Sequence, residues 1–138
     1  MTDRRLTGGC LCGAVRYEAV GEPTMTGHCY CDDCRKASGS GFIPFMGYDA
    51  AAVRFSGEPR QFVSKAARGG DSTRNFCGQC GGLVFGGVVG ESDSFTLYAG
   101  SLDDATAFKP AVAIFAASRP DWAVMPEGLT VFDRMPGD

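Results

Sequence analysis

Imidazole is almost missing from this chain: among 138 residues there is one histidine, His28, and one tryptophan, Trp122. His28 is therefore the only conventional imidazole base available to any chemistry. Basic runs are missing too. The formal charge is −3, with 13 Lys and Arg against 16 Asp and Glu, which argues against a nucleic-acid surface. Long apolar runs are also absent. The longest, AVAIFAA at 111–117, is far too short to cross a bilayer, so no membrane partner is expected. The polar start MTDRRLTGGC lacks the apolar stretch of a signal peptide, which points to a reducing, cytoplasmic setting. No repeat, low-complexity segment or composition break divides the chain, so the expectation is one domain over residues 1–138. Adjacent Asp32 and Asp33 are not the facing carboxylate pair of a hydrolase; stabilisation of a helix N-terminus accounts for them.

What the chain does contain is punctuation and sulfur. Apolar residues make up 44% and charged residues 21%, ordinary for a globular protein, but 20 glycines and seven prolines exceed what a helical bundle needs. Short strands are expected. In AVRYEAV at 14–20, Val15, Tyr17 and Ala19 alternate with Arg16 and Glu18, the pattern of a half-buried strand, and Gly21-Glu22-Pro23 turns the chain. GFIPFMGY at 41–48 reads as an edge strand because of Pro44. Further strands are expected at 60–63, 83–85, 95–98, 111–116 and 129–132. Asp32 to Ser38 reads as a short helix stopped by Gly39, and Ser101 as the N-cap of a turn over 101–105. The fold class is mainly β: a small domain of short antiparallel sheets with short helical turns.

The seven cysteines fall into three groups: Cys10 with Cys12; Cys29, Cys31 and Cys34; Cys77 with Cys80. Seven is odd, so they cannot all pair with one another. Residues two apart on a strand share a face at about 6.6 Å, poor for a disulfide but suited to one ion with sulfurs at about 2.3 Å. FCGQCGG has the C-x-x-C knuckle spacing, with small residues to let the backbone turn. Cys10, Cys12, Cys77 and Cys80 thus make a closed four-sulfur site, a structural zinc tying the N-terminal strand to the middle of the chain. Iron at that site, and a redox reading of CGQC, stay open as alternatives, the second weakened because no helix follows.

Cys29, Cys31 and Cys34 are left with three sulfurs and no fourth. Cys31 and Cys34 share a face of the short helix, near its positive end, which favours thiolates. Three protein ligands and an open position are the pattern of a substrate-binding or catalytic zinc. Three thiolates on Zn²⁺ leave a net charge of about −1 and a poor Lewis acid toward water, so a soft external thiol is the expected fourth ligand rather than a hydrolytic water. The competing reading is a second structural site completed by His28, although His28 adjoins Cys29 and would point to the opposite strand face.

Four segments in this order, GGCLCGAVRYE, HCYCDDCRKASG, TRNFCGQCGG and GSLDD, resemble the glutathione-dependent formaldehyde-activating enzymes and the related centromere protein V domain. The resemblance runs from Gly8 to at least Trp122. It implies a zinc-stabilised β-tent fold and two zinc sites divided as above. In that family the second zinc is linked to glutathione and to formation of S-hydroxymethylglutathione, formally a carbon–sulfur lyase reaction. The chain departs from the pattern at Tyr30 and Ala113, where histidines are common, and at Phe115, where tryptophan is common; Arg119 and Trp122 match. Arg35 and Lys36 are placed to bind an anionic group of a thiol such as glutathione, or are solvated helix charges. Arg74 would contact the ligand or the sulfurs of the structural site, or form a surface ion pair. Phe42, Phe45 and Trp122 would wall a pocket, or lie in the core. The expected function is binding of a small thiol, glutathione by resemblance, at the open zinc, with formation or cleavage of a thiol–aldehyde adduct. The rivals are a non-catalytic carrier of glutathione or its adduct, and a purely structural zinc domain for protein interaction.

Overall fold

A computed structural model describes residues 4–137 of the chain, so the reading of the extreme N-terminus at Met1 to Asp3 lies outside the described residues. The mainly β expectation holds. Strands β1 (Arg5–Gly9), β2 (Arg16–Val20) and β5 (Val53–Ser56) form a three-stranded antiparallel sheet in the order β1-β2-β5. The remaining strands are β3 (Met25–Cys29), β4 (Ile43–Asp49), β6 (Arg60–Lys65), β7 (Asp71–Phe76), β8 (Leu83–Gly86), β9 (Ser94–Tyr98), β10 (Val112–Ile114) and β11 (Thr130–Val131). They form an eight-stranded sheet in the order β11-β10-β3-β4-β9-β8-β7-β6, antiparallel except where β10 runs parallel to both β3 and β11. Helix α1 (Asp32–Ser38) joins β3 to β4 and ends at Gly39, whose φ of 69° is the left-handed conformation expected of it. Among the described residues no helix is long and apolar enough to cross a membrane.

Alternation along β4 assigns the two faces of the large sheet. Met46 and Tyr48 join the core shared with the small sheet, where Leu6, Tyr17, Ala19 and Val53 meet Val84, Phe85, Phe95 and Leu97. Phe55 stacks on Phe85 at 4.1 Å and meets Phe95 edge-on at 4.8 Å. Ile43 and Phe45 point the other way, into a second cluster with Ile114, Phe115 and the three cysteines Cys29, Cys31 and Cys34.

Several expectations are corrected. The 41–48 strand is interior, flanked by β3 and β9, rather than an edge. Pro44 is tolerated because pairing with β9 begins only at Phe45, so the proline stands beyond the end of that ladder. The 111–116 strand stops at Ile114, where Phe115 takes a left-handed φ of 52° and turns the chain. Ser101 does not open a turn. It ends the single 3₁₀ turn Ala99–Ser101, and Asp104 caps the next, Ala105–Ala107. Cys10 and Cys12 sit in the turn after β1, not on a strand. Strands β5 and β7 went unread, and β3 was read only at His28 and Cys29, because MTGHC, VRFS and DSTRNF mix Gly, Ser, Asp and Arg into short segments without clear alternation.

The GSLDD segment docks on the N-terminal hairpin. Arg16 grips the Asp103 carboxylate with both arms of its guanidinium, Nη1 to Oδ1 at 2.9 Å, and Thr7 Oγ1 donates to Oδ2 at 2.7 Å. The Tyr17 hydroxyl lies 2.8 Å from Ser101 Oγ. Gly8 is required here, because a Cβ would come 2.3 Å from that hydroxyl and 2.5 Å from the Ser101 carbonyl oxygen.

Candidate metal centres

Two groups of cysteines bring their sulfurs within 4.8 Å of one another: Cys10, Cys12, Cys77 and Cys80, and separately Cys29, Cys31 and Cys34. All seven are free thiols. This is the division expected from their spacing.

The four-sulfur group is built from two turns. Cys10 and Cys12 lie between β1 and β2; Cys77 and Cys80 lie between β7 and β8. In the second turn the Gly81 N–H donates to the Cys77 carbonyl at 2.8 Å and the Cys77 N–H to Gly82 O at 3.0 Å, with Gly81 at φ 75°. Backbone N–H groups also aim at sulfur, Val15 N to Cys10 Sγ at 3.2 Å and Gln79 N to Cys77 Sγ at 3.3 Å. Such donors stabilise thiolates. The Cys80 thiol is pulled down to about 6, first by the backbone N–H of Gly82 and then by that of Cys12. Sulfurs about 2.3 Å from one ion at tetrahedral angles stand about 3.8 Å apart. Cys10–Cys12 at 3.8 Å and Cys12–Cys77 at 3.7 Å have that spacing. The donors fit a closed tetrahedral ion, and the ligand turns come from different sheets.

The three-sulfur group is assembled on the opposite face of the large sheet. Cys29 ends β3, Cys31 is the N-cap of α1, and Cys34 lies in its first turn with its N–H donating to Cys31 Sγ at 3.2 Å. A thiolate thus takes the capping place usually held by a hydroxyl or carboxylate. All three are buried. Cys31 is pulled down to about 2, chiefly by hydrogen bonds from the Cys29 and Cys34 thiols, while Cys29 is pushed up, first by Cys31 and then by Cys34. One of three crowded thiols ionises and its neighbours keep their protons, which a divalent cation would displace. No histidine or carboxylate completes the group among the described residues, which overturns completion by His28. As alternation requires, His28 lies on the other face of β3. It stacks on Phe42 at 4.0 Å, with Nδ1 3.4 Å from the Tyr30 hydroxyl.

Tyr30 and Ala113 pack together with Ala123 on that same far face, and the Tyr30 hydroxyl donates to Val124 O at 3.3 Å. The two positions where the resemblance has histidines therefore face away from the thiols and share one cluster. Arg119 donates to Ala123 O at 2.8 Å beside them.

A cleft of about 360 Å³ reaches the three-sulfur group at Cys31, and Asp33, Phe115, Asp133 and Arg134 stand in its wall. Another cavity, about 600 Å³, has no cysteine in its lining, so size alone does not mark the site. Arg74 is buried, not a surface ion pair. Its Nη2 lies 3.8 Å from Cys34 Sγ, which places it beside the three-sulfur group rather than the four-sulfur one. Arg35 pairs with Asp32 at 3.7 Å on the exposed side of α1, and Trp122 is 67% exposed beside Gly41; neither lines the cleft. Phe45 packs directly against the thiols. Tyr98, which sequence reading passed over as a strand residue, packs there too. Its hydroxyl is pushed up first by burial, so it stays protonated at neutral pH. Only the β4–β9 register, Phe45 opposite Tyr98, brings it to the cluster, and no sequence signal marks that pairing.

The family model of the glutathione-dependent formaldehyde-activating enzymes matches residues 5–118. A Halomonas elongata protein named provisionally as such an enzyme is 28% identical over 123 residues, covering 85% of this chain and 78% of that protein. A Rhodobacter sphaeroides protein of known crystal structure has a similar fold, with a TM-score of 0.52 over 71% of this chain and 88% of its own at 18% identity.

Proposed function

This chain belongs to the glutathione-dependent formaldehyde-activating enzyme family, and from that premise we propose that it is a cytoplasmic, zinc-dependent carbon–sulfur lyase-like protein, one domain over residues 1–138. It binds a small thiol, glutathione, at Cys29, Cys31 and Cys34 and forms or cleaves a thiol–aldehyde adduct. A second, structural zinc belongs to Cys10, Cys12, Cys77 and Cys80. The observation that carries the reading is the contrast between the two groups. Four sulfurs close on themselves, while three buried sulfurs have no fourth protein ligand among the described residues and are reached by a cleft.

Zinc held by the trio would supply a soft acceptor that keeps an external thiol ionised and nucleophilic toward an aldehyde carbon. The protein's own residues do the rest. Phe45, Ile43, Ile114 and Phe115 keep water from the sulfurs. In the cleft wall Arg134 offers a cation for a ligand carboxylate, and Asp33 and Asp133 offer anions for its ammonium, the charge pattern of a zwitterionic peptide thiol. Tyr98 packs beside the cluster, outside the cleft wall, and burial keeps its hydroxyl protonated, so it adds no negative charge there; in the net addition the proton of the thiol ends on the adduct hydroxyl.

The test is zinc content per chain with and without excess glutathione, together with exchange NMR of glutathione and formaldehyde at equilibrium. The expected result is two zinc ions, a cobalt-substituted trio whose spectrum responds to glutathione, and adduct exchange faster than the uncatalysed rate. Two ions indifferent to thiol would overturn the reading; thiol-responsive binding without faster exchange would leave a carrier in place of an enzyme.

A further inference from the structure

Arg74 is 8% exposed, and a guanidinium keeps its charge at any pH a protein survives. Such a group is seldom buried without an anion beside it. Among the described residues no carboxylate forms an ion pair with it. Its polar contacts are Nη2 to Cys34 Sγ at 3.8 Å and Nη1 to Ser72 Oγ at 3.4 Å, and its Nε is buried with no acceptor at all. The acidic groups around it are the Tyr98 phenol, which burial keeps protonated, and the thiols of Cys34 and Cys31, so the thiols are its available counterions.

The charge count on the trio runs the opposite way. Three thiolates and a divalent ion leave about −1, and an external thiolate as fourth ligand makes about −2, in a place where all three protein sulfurs are buried. The four-sulfur group reaches the same −2 but has Cys12 exposed and Cys80 half-buried, so water screens it. The trio lacks that screening and has Arg74.

We propose that Arg74 is the built-in counter-charge of the three-cysteine site, a positioning residue that raises its affinity for a divalent ion and makes it prefer an anionic fourth ligand over a neutral one. It acts through Cys34 from β7 and is absent from the cleft wall, so it biases the choice of ligand without standing in the ligand's path. This rests on the reading that the trio holds a metal and takes an external thiol.

The experiment compares wild type, Arg74→Met and Arg74→Lys as full chains titrated with cobalt(II), then with glutathione or imidazole. The four-sulfur site in each protein reports whether the chain is folded. An opposite charge this close shifts a thiol equilibrium by about tenfold or more. Arg74→Met is therefore expected to lower cobalt affinity at the trio by about that factor, leave the four-sulfur site unchanged, and weaken glutathione far more than imidazole. Arg74→Lys, which keeps the charge, restores most of both. Wild-type behaviour in Arg74→Met overturns the proposal, and so does an equal loss for glutathione and imidazole. If Arg74→Met loses both metal sites, Arg74→Lys decides, because it must then bind like wild type. A wild-type trio that takes cobalt but no thiol would sink the functional reading instead, and the cobalt affinities alone would then judge Arg74.

Discussion

Cys31 shows how one side chain can serve both a helix and a site. Its sulfur caps α1 by accepting from the Cys34 N–H and also stands in the three-sulfur group. The two duties separate by substitution. Cys31→Ser keeps a capping acceptor and removes the sulfur; Cys31→Ala removes both. Each variant is expected to retain one metal ion instead of two by elemental analysis. In denaturant the alanine protein should be less stable than the serine protein by about 1 kcal/mol, the usual worth of an N-cap. Two ions retained by Cys31→Ser would show that the trio is not a metal site. Asn75 is the contrasting residue, fully buried and wholly structural. It donates to Phe85 O at 3.0 Å and Gly87 O at 2.8 Å and accepts from Gln61 at 3.1 Å, which holds β7 to β8 beside their bulge.

Among the elements, the N-terminal hairpin depends on a segment almost a hundred residues later. Arg16 and then Thr7 hold the Asp103 carboxyl down to about 2. A depressed carboxylate adds stability that is complete above its unfolded value near 4 and is lost as pH falls through its folded value. Wild type should therefore melt above Asp103→Asn at pH 5 and higher, with the gap closing between pH 4 and pH 2. Melting curves across that range check it, and a gap constant with pH would mean that the pair contributes through shape rather than charge. Arg16 and Asp103 are both partly exposed, so the gap should also shrink in high salt.

For the whole molecule, the two cysteine groups hold different things together. The four-sulfur group pins the β1–β2 turn of the small sheet to the β7–β8 turn of the large one, whereas the trio ties α1 only to the end of β3. Chelation should therefore proceed in two steps. The trio, with three protein ligands, should empty first with little change in circular dichroism; the four-sulfur group should empty second, and the fold should go with it. Loss of secondary structure during the first step would contradict this division of labour.

Cysteine spacing and glycine and proline content carried the β class, the two cysteine groups and the short helix with its Gly39 stop, because each is a local matter. Knuckle geometry, capping and left-handed glycine depend on residues a few positions apart. Local pattern could not say that Pro44 stands just beyond a ladder's end inside a sheet, that Tyr98 meets the thiols through strand register, or that Tyr30 and Ala113 turn away from them. Nor could it say that Arg74, three residues before Cys77 of the four-sulfur group, lies against Cys34 of the three-sulfur one. Successive residues of a strand face opposite sides of its sheet, so which site a residue serves is decided by strand pairing, and pairing joins segments far apart in the chain.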